Sequence, residues 1–192
     1  DLAAVGDTFS RASMQSWLLE WINQFGRGSG AGWTPDLTGR RLIRWINHAQ
    51  FVLRGQESDR SDAFYLSLAQ QATFLSKRWH SASPGLPRFE ALTGLIYAGL
   101  SLQGMEGLAK PAIKALAKEC AVQVDSEGGL PTRNPEELLA VYVLLTWSAI
   151  ALEEAGLEVP VEHLGAIERI TPTLRTLRHS EPVSVSTVEA VR

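Results

Sequence analysis

Residues 125–152 read DSEGGLPTRNPEELLAVYVLLTWSAIAL, and this stretch decides the fold class. A polar, glycine-bearing turn passes through Arg133, Asn134 and Pro135 into the most apolar segment of the chain. Asn134 suits an N-cap and Pro135 the first helical position, while Glu136 and Glu137 favour the positive end of the helix dipole. The run from Leu138 to Leu152 is interrupted by Thr146 and Ser148 and falls short of the roughly 20 residues that span a bilayer. It therefore reads as a buried helix, with no membrane span, and it requires other helices around it.

Those helices are legible on both sides. In RASMQSWLLEWINQF, residues 11–25, Met14, Trp17, Leu18, Trp21, Ile22 and Phe25 recur at three- and four-residue steps. GRGSGAG stops that helix. A second is expected over residues 37–54, a third from Ser61 or Asp62 to about Trp79, and a fourth from Arg88 to about Leu102. Pro111 suits the first turn of a fifth, reaching Cys120, and Pro160 opens a seventh, to about Arg178, in which Thr171-Pro172 is a candidate kink. No stretch alternates apolar and polar residues between hairpin turns. The expectation is an all-α chain of six or seven long antiparallel helices, arranged as stacked hairpins.

Composition narrows the function. A net charge of -3 gives no electrostatic reason to expect nucleic acid as a partner. The single cysteine, Cys120, excludes an internal disulfide and a cysteine-rich zinc site, and its apolar helical setting reads as a structural thiol. His80, His163 and His179 share no metal-ligand spacing, so neither metal nor cofactor is expected. Ser29 lacks the strand that a nucleophile elbow needs, and Tyr97 and Tyr142 lie in apolar helices. Asp1 is followed by no apolar signal core, which leans toward a cytoplasmic chain if that start is near native.

Two stretches can carry chemistry. In the second helix, Arg40, Arg44, Asn47, Phe51 and Arg54 share a face, with Arg41, Trp45 and His48 between that face and the apolar stripe. Guanidinium matches carboxylate and sulfate bidentately, so this row can grip an anionic ligand; equally, its arginines can be solvated or paired with neighbouring acids. In the 125–137 connection, Gly128 and Gly129 permit close backbone approach, and Arg133 and Asn134 sit where a helix start offers N–H groups to an anion. A plain Asn-Pro cap explains the same residues.

GGLPTRNPEELL with the apolar helix after it resembles the Asp-Gly-Gly/Ser-His-x-x-Arg-Asn/Ser-Pro segment of heparinase II/III-like polysaccharide lyases. GRRLIRWINHAQFVLRG, LPRFEALTGLIYAGLSLQG and AIERITPTLRTLRH resemble other helices of that family's helical domain, in the same order. The resemblance, over about residues 10–179, implies an incomplete α/α toroid, with the β-sandwich that usually follows absent. It also implies β-elimination on a uronic-acid-containing polysaccharide. There a carboxylate is neutralised by Asn or His while Tyr or His moves the proton.

The chain departs from the pattern at the places that matter. Gly85-Leu86-Pro87-Arg88 stands where active relatives have Asn-His, Glu137 where they have Tyr, and Leu130 where they have His. Arg88, Arg133 and Asn134 remain as groups that can bind a uronate. The alternative is a non-catalytic helical module that binds an anionic saccharide or supports a partner domain. Residues 180–192 leave the resemblance and are expected to form a disordered or frame-shifted tail. A helical domain without its sheet partner is expected to expose an apolar groove, which self-association can cover.

Overall fold

The structure, a computed structural model, describes residues 8–179; the expected tail at 180–192 lies outside the described residues. Among them the chain is all-α. The α-helices are α1 (Thr8–Phe25), α2 (Pro35–Asn47), α3 (Ala49–Leu53), α4 (Ser58–Arg78), α5 (Leu86–Ser101), α6 (Ala109–Gln123), α7 (Pro135–Glu154) and α8 (Val161–His179). Short 3-10 turns, Trp79–Ser81 and Glu106–Leu108, precede α5 and α6. The expected second helix is divided at His48, whose N–H bonds to the Arg44 and Ile46 carbonyls and tightens the last turn of α2. Pro172 lies inside α8.

The central element is α5. It packs on α2, α4, α6 and α7, and Phe89, Ala91, Leu92, Gly94 and Ala98 lie buried on different sides of it. A helix apolar all round belongs in the interior. The tightest crossing, α2 on α5, is made by glycine. A Cβ on Gly39 would stand 2.2 Å from the Glu90 carbonyl oxygen, and one on Gly94 would stand 2.6 Å from the Gly39 Cα. Adding a methyl there forces two backbones apart, so Gly94→Ala belongs among overpacking changes of about 1–3 kcal/mol or more.

The helix expected to be most enclosed is less so than α5. One face of α7 packs on α5 and α8 through Val141, Leu145, Ser148 and Leu152. The other leaves Leu139, Trp147 and Ile150 about half exposed. Hydrophobicity along the sequence measures what a helix would gain by burial, and does not state which faces find a partner. By length and composition alone, α7 is also the one described helix that could cross a membrane.

The core changes character along the chain. Around α1, α2 and α4 it is aromatic, with Trp21, Trp33, Trp45, Phe64 and Phe74 in edge or stacked contact. Around α6, α7 and α8 it is aliphatic: Leu116, Leu138, Leu145, Leu152 and Ile170. Cys120 is fully buried there, and burial raises its thiol pKa to about 12, as expected of a structural residue.

Candidate functional site

The 125–134 turn is organised from within. The Asp125 carboxylate accepts N–H bonds from Gly129 at 2.7 Å and Glu127 at 3.0 Å, and the Arg133 guanidinium approaches it at 3.2 Å. The Gly129 amide above all, followed by the other two donors, holds this carboxyl below its ordinary pKa. From α8, Arg169 Nε donates to the Asp125 carbonyl at 3.0 Å, and the Thr173 hydroxyl donates to the Glu127 carbonyl. The glycines serve this closure. Gly128, at φ 76°, would place a Cβ 2.0 Å from the Arg169 carbonyl oxygen.

Arg133 itself takes a left-handed φ of 52° to turn the chain into α7. Asn134 caps that helix, its side-chain oxygen accepting the Glu136 N–H at 2.9 Å while its amide reaches Glu137 at 3.4 Å. Arg88 is tied down as well. Its guanidinium donates to the Ala82 carbonyl at 2.8 Å and to Glu119 at 3.3 Å, and Glu119 also takes the Gly85 N–H. These bonds fasten the start of α5 to α6. Each of the three has a structural partner in this half of the chain.

The row on α2 divides differently. Arg40 pairs with the buried carboxylate of Glu90. Arg44, Trp45 and His48 line a cavity of about 430 Å³ between α2 and α1, together with Trp17, Trp21 and Arg41. Met14, Leu18 and Val52 complete its lining, and no carboxylate is among these residues. Trp45 is fixed edge-on to Trp21 at 5.3 Å and stacked on Phe64 at 5.9 Å, so its ring is held rigidly in the wall.

Arg41 is the least expected member of the cavity. Its guanidinium donates to the Gly32 carbonyl, the Thr38 hydroxyl and the Gln71 side-chain oxygen. It also lies over the Trp21 ring at 4.5 Å and the Trp33 ring at 5.5 Å. All these partners are neutral. Burial lowers its pKa to about 10, with Asp36 acting weakly in the other direction, so it stays charged at neutral pH. A fixed cation facing tryptophan and lacking a bonded carboxylate raises the potential inside the cavity. The signal was present in the sequence as two matching stripes, Met14-Trp17-Leu18-Trp21 on α1 and Arg41-Arg44-Trp45-His48 on α2, at the same three- and four-residue steps.

Asn47 stands apart from its neighbours. Its side chain lies close to the Tyr97 phenol, which donates to the Trp147 carbonyl at 3.4 Å. Burial is the main reason that the Tyr97 pKa is raised, so the phenol holds its proton at neutral pH. Among the described residues no group of three or more His, Cys, Asp or Glu side chains is arranged to hold a metal ion. No protein-family model matches this chain, and no curated protein or solved structure matches it.

Proposed function

We propose that this all-helical chain is a binding module for an anionic saccharide, and that the α1–α2 cavity receives the ligand. The observation that carries this reading is a cavity walled by tryptophan with Arg41, Arg44 and His48 on its surface and no carboxylate in its lining. Indole faces take the apolar faces of sugar rings, and Arg44, exposed and without an ion pair among the described residues, suits a carboxylate or sulfate. The likeness to the helical domain of heparinase II/III-like lyases supports the same ligand class, uronic-acid-containing polysaccharide. The incomplete toroid that it implies is our proposal for the helical arrangement, with α7 as a core helix and no membrane span. Nucleic acid is not part of this reading.

A second reading, β-elimination by the same domain, draws on the Asn47–Tyr97 contact, an amide beside a phenol. With its pKa raised, Tyr97 would be a proton donor to the leaving oxygen, so a base would still be required. Glu137 cannot take that role freely, since it sits within reach of the Asn134 amide.

Titration with an oligouronate and with its carboxyl-reduced, neutral counterpart tests the proposal, read by tryptophan fluorescence. Saturable quenching by the acidic sugar alone is the expected result. Equal response to both would remove the anionic ligand from the reading. Growth of unsaturated-uronide absorbance in the same mixtures would move the conclusion to the lyase.

A further inference from the structure

A wide concavity lies away from the tryptophan cavity, on the aliphatic half. It is a groove of about 1360 Å³ between α6 on one side and the α7–α8 connection with the first turn of α8 on the other. Its floor is apolar, with Leu100, Ile113, Ala117 and Leu157 among the lining residues. Small residues keep it low, because Ala115 and Ala121 contribute only methyl groups.

Its two long sides carry opposite charge, and Glu106, in the turn before α6, adds one carboxylate at the end of the groove where the lysine row starts. Lys110, Lys114 and Lys118 line the groove from α6, four residues apart and all exposed. Glu158 and Glu162, again four apart and exposed, line it from the other side. Among the described residues none of these five joins an ion pair, so the charges neither bridge the groove nor are neutralised alongside it. A four-residue repeat is one helical turn plus a small advance, and the lysine row therefore extends about 12 Å.

We infer that this groove docks an amphipathic helix of a partner protein. That helix would carry an apolar stripe with carboxylates along one edge and Lys or Arg along the other. A helix rises 1.5 Å per residue, so the lysine row of about 12 Å matches about nine residues of a helix laid along it. Those residues present three side chains per edge at four-residue spacing, which matches the lysine row. The apolar stripe supplies the burial, and the charged edges fix how the helix is laid down. An anionic amphiphile would satisfy the lysines and be repelled by Glu158 and Glu162. The exposed stripe on α7 of a second copy would bring only Glu136, Glu137, Glu153 and Glu154, with no Lys or Arg in that helix, against the glutamate side.

Three synthetic fourteen-residue helical peptides with one leucine stripe provide the probe: one edged with Glu and Lys, one with Lys on both edges, one with Glu on both (fourteen residues is about four turns). Calorimetric titration of the full chain should show the mixed peptide binding about tenfold tighter than either control, as expected for several exposed ion pairs acting together. In the K110E/K114E/K118E variant the preference should move to the lysine-edged peptide. Lys114→Glu alone should show the same trend if the triple variant loses helicity. Equal affinity for all three peptides, or an unchanged preference in the variants, would overturn the inference. So would wild-type self-association that these substitutions abolish, which assigns the groove to a second copy.

Discussion

Two places in this chain offered arginines to an anion, and the structure uses them in opposite ways. In the 125–134 turn, Arg133 spends its charge on Asp125 and Asn134 caps α7, while the surrounding backbone is held by Arg169 and Thr173 of α8. In the α1–α2 cavity, Arg41 is held by carbonyl, hydroxyl and amide oxygens, and no carboxylate lines the space that it shares with Arg44. On the proposed reading, the two regions differ in whether a carboxylate is bonded to the arginine: Asp125 pairs with Arg133, whereas Glu90 and Asp36 act on Arg44 and Arg41 only from a distance. When one is bonded to it, the cation belongs to the fold. When none is bonded to it, the cation would be available to a ligand, as proposed for Arg44.

The largest test of that contrast is Gly128→Ala. The new methyl meets the Arg169 carbonyl at 2.0 Å, and the backbone at φ 76° disfavours any side chain. Overpacking together with left-handed strain should lower stability by about 3 kcal/mol or more, seen as a shift in the urea midpoint. If the turn is only structural, the affinity of the surviving folded fraction for an oligouronate should hardly change. A loss of affinity larger than the loss of folded protein would return the turn to the binding site.

Next is the pair Arg44→Ala and Arg133→Ala. Removing Arg44 should weaken binding of an acidic oligosaccharide about tenfold, the size of one charge-assisted hydrogen bond. Arg133→Ala should leave affinity within a factor of about two and cost less than about 1 kcal/mol, because its ion pair is exposed. The reverse order would exchange the roles of the two regions.

How far these roles were legible depends on the kind of information each needs. Helix content followed from apolar periodicity and from breakers such as Gly26, Pro35, Gly85 and Gly156. The start of α7 was legible to the residue, since an N-cap and its proline are local features. The division at His48 was not, because nothing in its own side chain breaks a helix. The centrality of α5 was also hidden: Gly39 and Gly94 read as ordinary small residues until their helices are seen to cross. At the site, Arg44, Trp45 and His48 were singled out together with Arg88, Arg133 and Asn134, which have the same chemistry. Only tertiary structure places Glu119 beside Arg88, 31 residues away, or leaves Arg44 facing tryptophan from another helix.

Asn134→Ala isolates the local part of the turn. Losing the bond to the Glu136 N–H should destabilise the chain by about 1 kcal/mol, and Asn134→Ser should recover most of it. Affinity for the acidic sugar should not follow. If it did, the amide would have a ligand as well as a helix to serve.

The smallest effect concerns His163, on the aliphatic side with the turn. Its ring is 1% exposed, and its Nε2–H donates to the Leu145 carbonyl at 2.8 Å, joining α8 to α7. Burial lowers its pKa below 6.5, and the bond to Leu145 acts weakly the other way. The unfolded chain therefore takes up this proton more readily than the folded one. The stabilisation is fully present above 6.5 and is lost as pH falls from there through the folded pKa. Glu90, beside Arg40 on the α2–α5 crossing, runs in the opposite direction. Burial above all raises its pKa from 4.5, so its contribution declines as pH rises through the raised value. Urea midpoints for the wild type should fall between about pH 7 and 5.5 as the histidine term is lost, and His163→Leu should flatten that slope. Amide exchange adds the location. Protonation should loosen α7 and α8 before α2, because the charge appears between the first two and the aromatic half contains no part of that bond. Uniform loosening of both halves would mean that they fold as one unit, with the difference between them confined to ligand chemistry.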